Sequence, residues 1–492
     1  MRGTKGSRAG SGRAAAWRVT KIVATIGPGA SRPGALLPLL EAGVDVVRLN
    51  GAHCRPGEIR KRVALVRRAE RRLGRPIGIL LDLGGPKIRV GAVGGSPVAV
   101  APGQAVDLMP ARLARERRGS LLRVPVTYGA LLSDLEAGAE VRIDDGKVRL
   151  RVERRSRNAL RARVLVGGAI RSGAGVNFPD SALTAPALTP KDRRDLREGL
   201  AAGIDFVGLS FVRTAAHVAG LRRALASVPL ASRPWVVSKI ERPEALAELA
   251  AIAGRSDALM AARGDLGVEI GLAAVPAAQT RILDAGREAA IPVIVATQML
   301  ESMIESPVPT RAEVSDVAGA VHGGADAVML SGETAVGKFP VEAVRTMAEI
   351  ARTAERTGDR AVAGPRTRGG DVAAAVAEAA AAAARASGAS AVVVYTESGK
   401  TARLISKLGL GVPIVALTPD ERVRRKMTLL SDVISFRIPR ASSVEAMLRA
   451  GDRFLAKVRV LSGRTVVEVS GAARSEGATN TVRIRGLSRF RS

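Results

Sequence analysis

Residues 292–331 read PVIVATQMLESMIESPVPTRAEVSDVAGAVHGGADAVMLS. Two short apolar runs, 292–298 and 325–331, flank an amphipathic stretch at 312–324. An apolar run of that length, bounded by turn residues, reads as a buried strand, and strand–helix–strand reads as a parallel crossover unit. The same rhythm recurs upstream in TKIVATIG (20–27), DVVRLN (45–50), IGILLDL (77–83), FVGLSFV (206–212), WVVSKI (235–240) and ALMAAR (258–263), with helical patterns such as PGALLPLLEAG (33–43) between most of them. Eight such strands predict a parallel (β/α)8 barrel.

One connection breaks the rhythm. More than 120 residues separate 77–83 from 206–212, and within them VPVTYGALL, AEVRIDDGKVRLRV and ALRARVLVG alternate polar and apolar residues, with Asp145-Gly146 as a turn signal. An inserted β domain explains this better than a single loop. Beyond the barrel, an Arg/Gly-rich linker leads to renewed strand and helix alternation. The expected division is a disordered basic tail at 1–17, a barrel at 18–91 and 173–358, an inserted β domain at 92–172, a linker at 359–371 and a C-terminal α/β domain at 372–492.

The chain has 492 residues, 47% of them hydrophobic, but only 2% aromatic. Its cores must therefore be built from Ala, Val, Leu and Ile. No apolar run reaches the ~18–20 residues of a membrane span. The net charge of +30 invites a nucleic-acid reading, yet the excess of arginine is spread along the whole chain and stacking aromatics are scarce. Nucleic-acid binding is accordingly disfavoured. The single cysteine, Cys54, excludes an intramolecular disulfide and fits a reducing, cytoplasmic setting. Residues 1–17 are basic and acid-free and have no apolar core for a secretory signal, which leaves a disordered tail or an organellar targeting segment.

Polar residues fall at the ends of the strands, where barrels of this kind place their chemistry. They are Arg48 and Asn50, Asp82, Ser210, Lys239 and Glu241, Arg263 with Gly264 and Asp265, Thr297, and Ser331 with Glu333. Two carboxylates from neighbouring strands, Glu241 and Asp265, suit Mg2+ (or Mn2+), which takes one or two protein carboxylates and fills its other positions with water and substrate. The absence of clustered His or Cys argues against zinc. After Asp82 and Leu83, the stretch GPKIRVG (85–91) places Lys87 and Arg89 at a tight turn, read either as a solvated loop or as a phosphate and metal site.

TKIVATIGP, LLDLGGPKIRVG, GVNFP, SKIERPE, MAARGDLGVEI, ATQMLESMIESPVPTRAEVSDVAGAV (296–321) and ADAVMLSGETAVGKFPVEAV resemble the pyruvate kinase family, as do the C-terminal TESGKTARLISK and GATNTVRI (477–484). The resemblance spans about 20–490 and implies a TIM barrel with an inserted β-barrel-like lid domain and a C-terminal α/β domain. It implies phosphoryl transfer from phosphoenolpyruvate to ADP, giving pyruvate and ATP. Glu241 and Asp265 would hold the metal, and Lys239 would stabilise the phosphoryl group and the enolate oxygen. Arg48 and Arg89 would grip phosphates, and the backbone at Gly264 and Asp265 would receive the substrate carboxylate. Thr297 would sit near the carbon to be protonated, and Asn50 and His53 would lie on the nucleotide side. It further implies a homotetramer, and a possible sugar-phosphate effector at the loop Thr396, Ser398, Gly399 and Thr401.

The chain also departs from the family's pattern. Gly51 and Ala52 stand where an aromatic and a serine are usual, Leu83 and Val90 replace threonines, Lys87 replaces a glutamate, and Ala174 replaces a lysine that contacts nucleotide phosphates. Arg171 lies near enough in sequence to substitute for that lysine, and Asp180 replaces a glycine after Pro179. The hydroxyl ligands for K+ are thus missing. Leu83, Lys87 and Val90 together resemble the potassium-independent branch, with the Lys87 ammonium in place of the ion. The alternatives are a catalytically weakened paralogue with a regulatory or binding role, and a metal-dependent lyase or aldolase on the same barrel.

Overall fold

The structure, a computed structural model, describes residues 17–27, 34–114, 121–181, 183–357, 371–456, 464–471 and 479–487. Residues 1–16 of the expected tail, 359–370 of the linker and 477–478 of the C-terminal motif lie outside the described residues.

Eight parallel strands close into a barrel: β1 (Lys21–Thr25), β2 (Val46–Asn50), β3 (Gly78–Asp82), β4 (Phe206–Leu209), β5 (Trp235–Ile240), β6 (Ala258–Ala262), β7 (Val293–Ala296) and β8 (Ala327–Leu330). Each pairs with its neighbours in chain order, and β1 pairs with β8 to complete the ring. These are the eight apolar runs of the sequence, trimmed at their ends. β4 stops at Leu209 because Phe211 turns into the left-handed region (φ 54). The helix Arg311–His322 lies within the opening stretch and begins with a capping box, in which the Thr310 hydroxyl and the Glu313 carboxylate each take the other's backbone amide.

Between β3 and β4 the chain builds the inserted domain. A six-stranded sheet is ordered Val176–Asn177, Glu140–Ile143, Val148–Arg155, Leu160–Val166, Ala105–Pro110 and Leu122–Val126, and a separate pair joins Val98–Val100 to Gly168–Ile170. The larger sheet takes in Val176–Asn177, beyond residue 172, and residues 89–91 bridge its two edges, Arg89 opposite Gly175 and Val90 opposite Val126. Its central hairpin turns at Asp144, Asp145 and Gly146, all at positive φ (53, 59 and 85), a conformation Asp and Gly tolerate. The end of VPVTYGALL forms the short helix Leu131–Asp134 instead of continuing as strand. The domain is tied to the barrel by Asn177, whose amide donates to Glu269 at 2.7 Å, and by Arg142, which donates to the Val268 carbonyl.

The C-terminal domain is a five-stranded sheet ordered Val433–Arg437, Ile414–Thr418, Ala391–Tyr395, Thr465–Gly471 and Thr479–Gly486, all parallel except the last strand. It closes the floor of the barrel. Leu429 is buried among Val23, Val46, Leu80 and Phe206 at the foot of the barrel. Around it, Arg425 grips Glu70 at 2.9 and 2.8 Å, and the Ser431 hydroxyl donates to Asp326 at 2.7 Å.

Candidate functional site

The polar residues that end the strands meet at the open face of the barrel. Asp82, at the end of β3, is 2% exposed. Its Oδ2 accepts from Arg48 Nε and Nη2 at 2.8 and 2.6 Å, and its Oδ1 lies 3.3 Å from Lys239 Nζ. Burial opposes ionisation of Asp82, but Lys239 and Arg48 together hold its carboxyl below the usual range. Arg48 also donates to the Thr25 hydroxyl at 3.0 Å. Three of the five guanidinium N–H groups are thereby used to orient the side chain, leaving two for an incoming anion.

Lys239 lies in β5 and Glu241 just past its end, and their spacing of two turns both side chains to the same face. Its ammonium lies 2.8 Å from Glu241 Oε1 and donates to Ser210 Oγ at 2.7 Å. Burial alone would lower its pKa, but Asp82 and Glu241 outweigh that and raise it. Glu241 is fully buried, and its Oε2 accepts the Phe211 amide at 2.7 Å. Burial raises the Glu241 carboxyl, Lys239 offsets this, and the neighbouring Asp265 adds to the rise.

Asp265 lies in the first turn of the helix Arg263–Ile270, beside Gly264. Gly264 donates its amide to Thr297 Oγ1 at 2.7 Å, which in turn donates to the Ala296 carbonyl at 2.6 Å. Thr297 is held at φ 72, an unusual conformation for a β-branched residue and one that concentrates at functional sites. Arg263 maintains it by donating to the carbonyls of Ala296 and Thr297 at 3.3 and 2.7 Å while pairing with Asp316 at 2.6 Å.

A cleft of about 330 Å³ between barrel and inserted domain is lined by Lys87, Arg89, Asn177, Phe211, Arg213 and Asp265, among others. The GPKIRVG turn supplies two of these. Gly85 takes φ 63 and accepts the Lys87 amide at 2.8 Å, and its own amide donates to Asp192 at 3.2 Å. Arg89 donates to the Gly173 carbonyl at 2.7 Å. Lys87 is exposed, and among the described residues its ammonium forms no ion pair. His53 stands nearby on the turn Gly51–His53; partial burial and then Lys87, Arg89 and Arg48 hold its imidazole below the usual pKa. Asn50 spends its side chain capping that turn, accepting the Ala52 amide at 3.2 Å.

The departures from the family pattern now have surroundings. A Cβ on Gly51 would fall 2.7 Å from the Asp82 carbonyl, so the turn as built admits only glycine. Leu83 and Val90 are buried among apolar neighbours in the barrel and inserted domain respectively. Arg171 pairs with Asp144 at 2.6 Å, while Ala174 lines the cleft. Glu333 is fully buried and accepts the amides of Leu300 and Ser331 at 3.1 and 2.7 Å, so it braces two loops rather than facing the cleft. In the C-terminal loop, the Thr396 hydroxyl accepts the Gly399 amide at 2.9 Å and the Thr401 hydroxyl is shared with Thr479 at 2.7 Å. Ser398 and Lys400 line a separate cavity against the barrel.

Among the described residues, no group of three or more His, Cys, Asp or Glu side chains is gathered for a metal. The Glu241–Asp265 pair nonetheless fits a hard divalent cation. Two like charges, one wholly buried, favour a cation between them, and water and substrate complete such a shell.

A family profile described as the barrel domain of pyruvate kinase matches residues 17–344, and one described as the pyruvate kinase alpha/beta domain matches 374–485. A pyruvate kinase of Methylorubrum extorquens is 42% identical over 482 residues, covering 96% of this chain and 98% of that protein. One of Mycobacterium tuberculosis is 40% identical over 472 residues, covering 95% and 98%. A crystal structure of a pyruvate kinase from Cryptosporidium parvum superposes with a TM-score of 0.87 at 31% identity, covering 96% of each chain.

Proposed function

The chain belongs to the pyruvate kinase family, transferring the phosphoryl group of phosphoenolpyruvate to ADP with a divalent cation, and from that premise we propose how its own residues divide the work. The observation that carries the assignment is the position of Lys239, fixed between Glu241 and Asp82 at 2.8 and 3.3 Å.

Such a transfer depends on positioning and charge neutralisation more than on covalent chemistry with the protein. Glu241 and Asp265 would hold the cation, Mg2+ or Mn2+, which when bound neutralises phosphoryl and carboxylate oxygens. Lys239 aims its ammonium at the phosphoryl group and at the enolate oxygen as charge develops there. Arg48 presents its two remaining N–H groups to the phosphoryl oxygens. Gly264 and Asp265 offer backbone amides to the substrate carboxylate, which would displace the Thr297 hydroxyl from the Gly264 amide. Thr297, freed from that bond, stands by the carbon that takes up a proton. Arg89, His53 and Asn50 flank the nucleotide, and Lys87 supplies the charge that K+ supplies elsewhere in the family. A coupled assay with phosphoenolpyruvate, ADP and Mg2+ or Mn2+ tests the assignment. Turnover that needs the divalent cation supports it, and metal-independent turnover or none overturns it.

We further propose a cytoplasmic homotetramer whose C-terminal loop, through Ser398 and the backbone at Gly399, responds to a sugar phosphate. Light scattering is expected to give four chains, and a panel of sugar phosphates is expected to shift substrate cooperativity. A strict monomer removes the first part, and unchanged kinetics across the panel remove the second.

A further inference from the structure

Arg242 and Glu269 are both buried, 4% and 5% exposed, where the inserted domain rests on the barrel. Arg242 Nη1 donates to Glu269 Oε1 at 2.6 Å, and Asn177 Nδ2 donates to the same oxygen at 2.7 Å. The other arm of the guanidinium, Nη2, lies 3.4 Å from the carbonyls of Phe178 and Ser181 and from Oε1 of the half-buried Glu244. One carboxylate oxygen thus joins three segments: the strand Val176–Asn177 of the inserted domain, the turn after β5, and the helix Arg263–Ile270. Arg142, a neighbour of Asn177 across the inserted sheet, donates to the carbonyl of Val268, one residue before Glu269.

The sequence positions of this pair matter more than its burial. Arg242 directly follows Glu241, and Glu269 lies four residues beyond Asp265 on the same helix, about one turn. The Arg242–Glu269 pair therefore joins the two elements that carry Glu241 and Asp265, one step further along each. Its charges attract, whereas those of Glu241 and Asp265 repel: Glu241 feels Asp265 as a like charge. Unopposed, that repulsion drives the end of β5 away from the helix Arg263–Ile270 until a cation arrives. A buried, charge-assisted hydrogen bond between the same two elements resists it.

We propose that Glu269 and Arg242 are positioning residues for the divalent cation, their bond holding Glu241 and Asp265 at a spacing ready to receive it. The inference rests on Glu241 and Asp265 being the ligands. Groups that orient metal ligands without touching the metal set its affinity, because otherwise binding must also order the ligands. Asn177 shares the Glu269 oxygen but carries no charge and belongs to the inserted domain. Its part is to seat that domain on the frame, not to form the frame.

The test is Mn2+ binding to the full chain without substrates, read from the loss of the free ion's electron paramagnetic resonance signal. Asp265→Asn locates the site and should weaken binding at least ~10-fold. Glu269→Gln keeps the size and an oxygen for Asn177 but removes the charge that holds Arg242. It should weaken Mn2+ ~10-fold or more, the usual cost of losing a group that orients a ligand. Saturating cation should then bring back most of its turnover, since both ligands remain. Arg242→Lys keeps the charge but lacks the two-armed fork, and a loss of at least ~3-fold is expected. Melting curves accompany each variant, and Arg242→Lys carries the test if Glu269→Gln does not fold. Asn177→Ala cuts only the tie to the inserted domain and should leave Mn2+ affinity within about twofold, as loss of a neutral partner outside the frame requires. Parent-like Mn2+ binding in Glu269→Gln and Arg242→Lys, with the loss in Asp265→Asn intact, would overturn this inference alone. A loss in Asn177→Ala as large as in Glu269→Gln would assign the effect to domain placement and overturn it as well. So would Glu269→Gln turnover that stays low at saturating cation. Binding unaffected by Asp265→Asn would overturn the ligand assignment beneath it.

Discussion

Asp265→Asn lowers kcat at least ~100-fold and raises the divalent-cation concentration needed for half-maximal activity, the size expected when an electrostatic group is removed from the centre of charge development. Asn matches Asp in volume, so packing at the start of the helix Arg263–Ile270 is kept. What changes is charge. Glu241 is fully buried beside Lys239, and a single remaining carboxylate must then hold the cation while partly neutralised by that ammonium at 2.8 Å. The folded state should not suffer, because two like charges oppose one another until the cation is bound. A melting temperature close to the parent's, together with the kinetic loss, separates a metal ligand from a structural residue. Turnover within tenfold of the parent would refute the assignment.

The barrel was legible because each strand carries its own signal, an apolar run ended by a polar residue, and that signal needs no knowledge of neighbours. Lys239, Glu241 and Asp265 were legible for the same reason. What sequence reading missed was relational. Asp82 reads as one more polar strand end, yet it orients both Arg48 and Lys239, across strands that lie far apart in the chain. Gly51 reads as an unexplained loss until the Asp82 carbonyl is seen where its Cβ would be. The strain at Thr297 has no local marker, since the residue that holds its carbonyl, Arg263, opens the helix after a neighbouring strand. Glu333 reads like Glu241 and is as fully buried, and only the partners distinguish them: Glu333 accepts backbone amides from two loops, whereas Glu241 pairs with Lys239.

Lys87→Glu abolishes most activity, whereas the parent works in tetramethylammonium buffer and gains nothing as K+ is titrated from zero. The argument is one of charge. Phosphoenolpyruvate and ADP crowd several negative charges around one divalent cation, and a further positive charge lowers the cost of bringing them together. Three features of this chain argue against a monovalent ion as its source. Ala52 offers no hydroxyl, Leu83 is buried in the apolar core, and the Asp82 carboxylate is already engaged by Arg48 and Lys239. Lys87, by contrast, lines the cleft, is exposed, and among the described residues has no ion pair to neutralise it. A unit charge at ~4 Å is worth ~1–4 kcal/mol between effective dielectrics of ~80 and ~20. Felt mainly in the transition state, that is roughly tenfold to a thousandfold in rate. Lys87→Glu reverses the charge instead of merely deleting it, so its loss should lie toward the upper end. K+ should restore little, because the mutation returns one carboxylate but none of the missing hydroxyls. Strong activation of the parent by K+ would show that the ion finds other ligands and that Lys87 does not replace it.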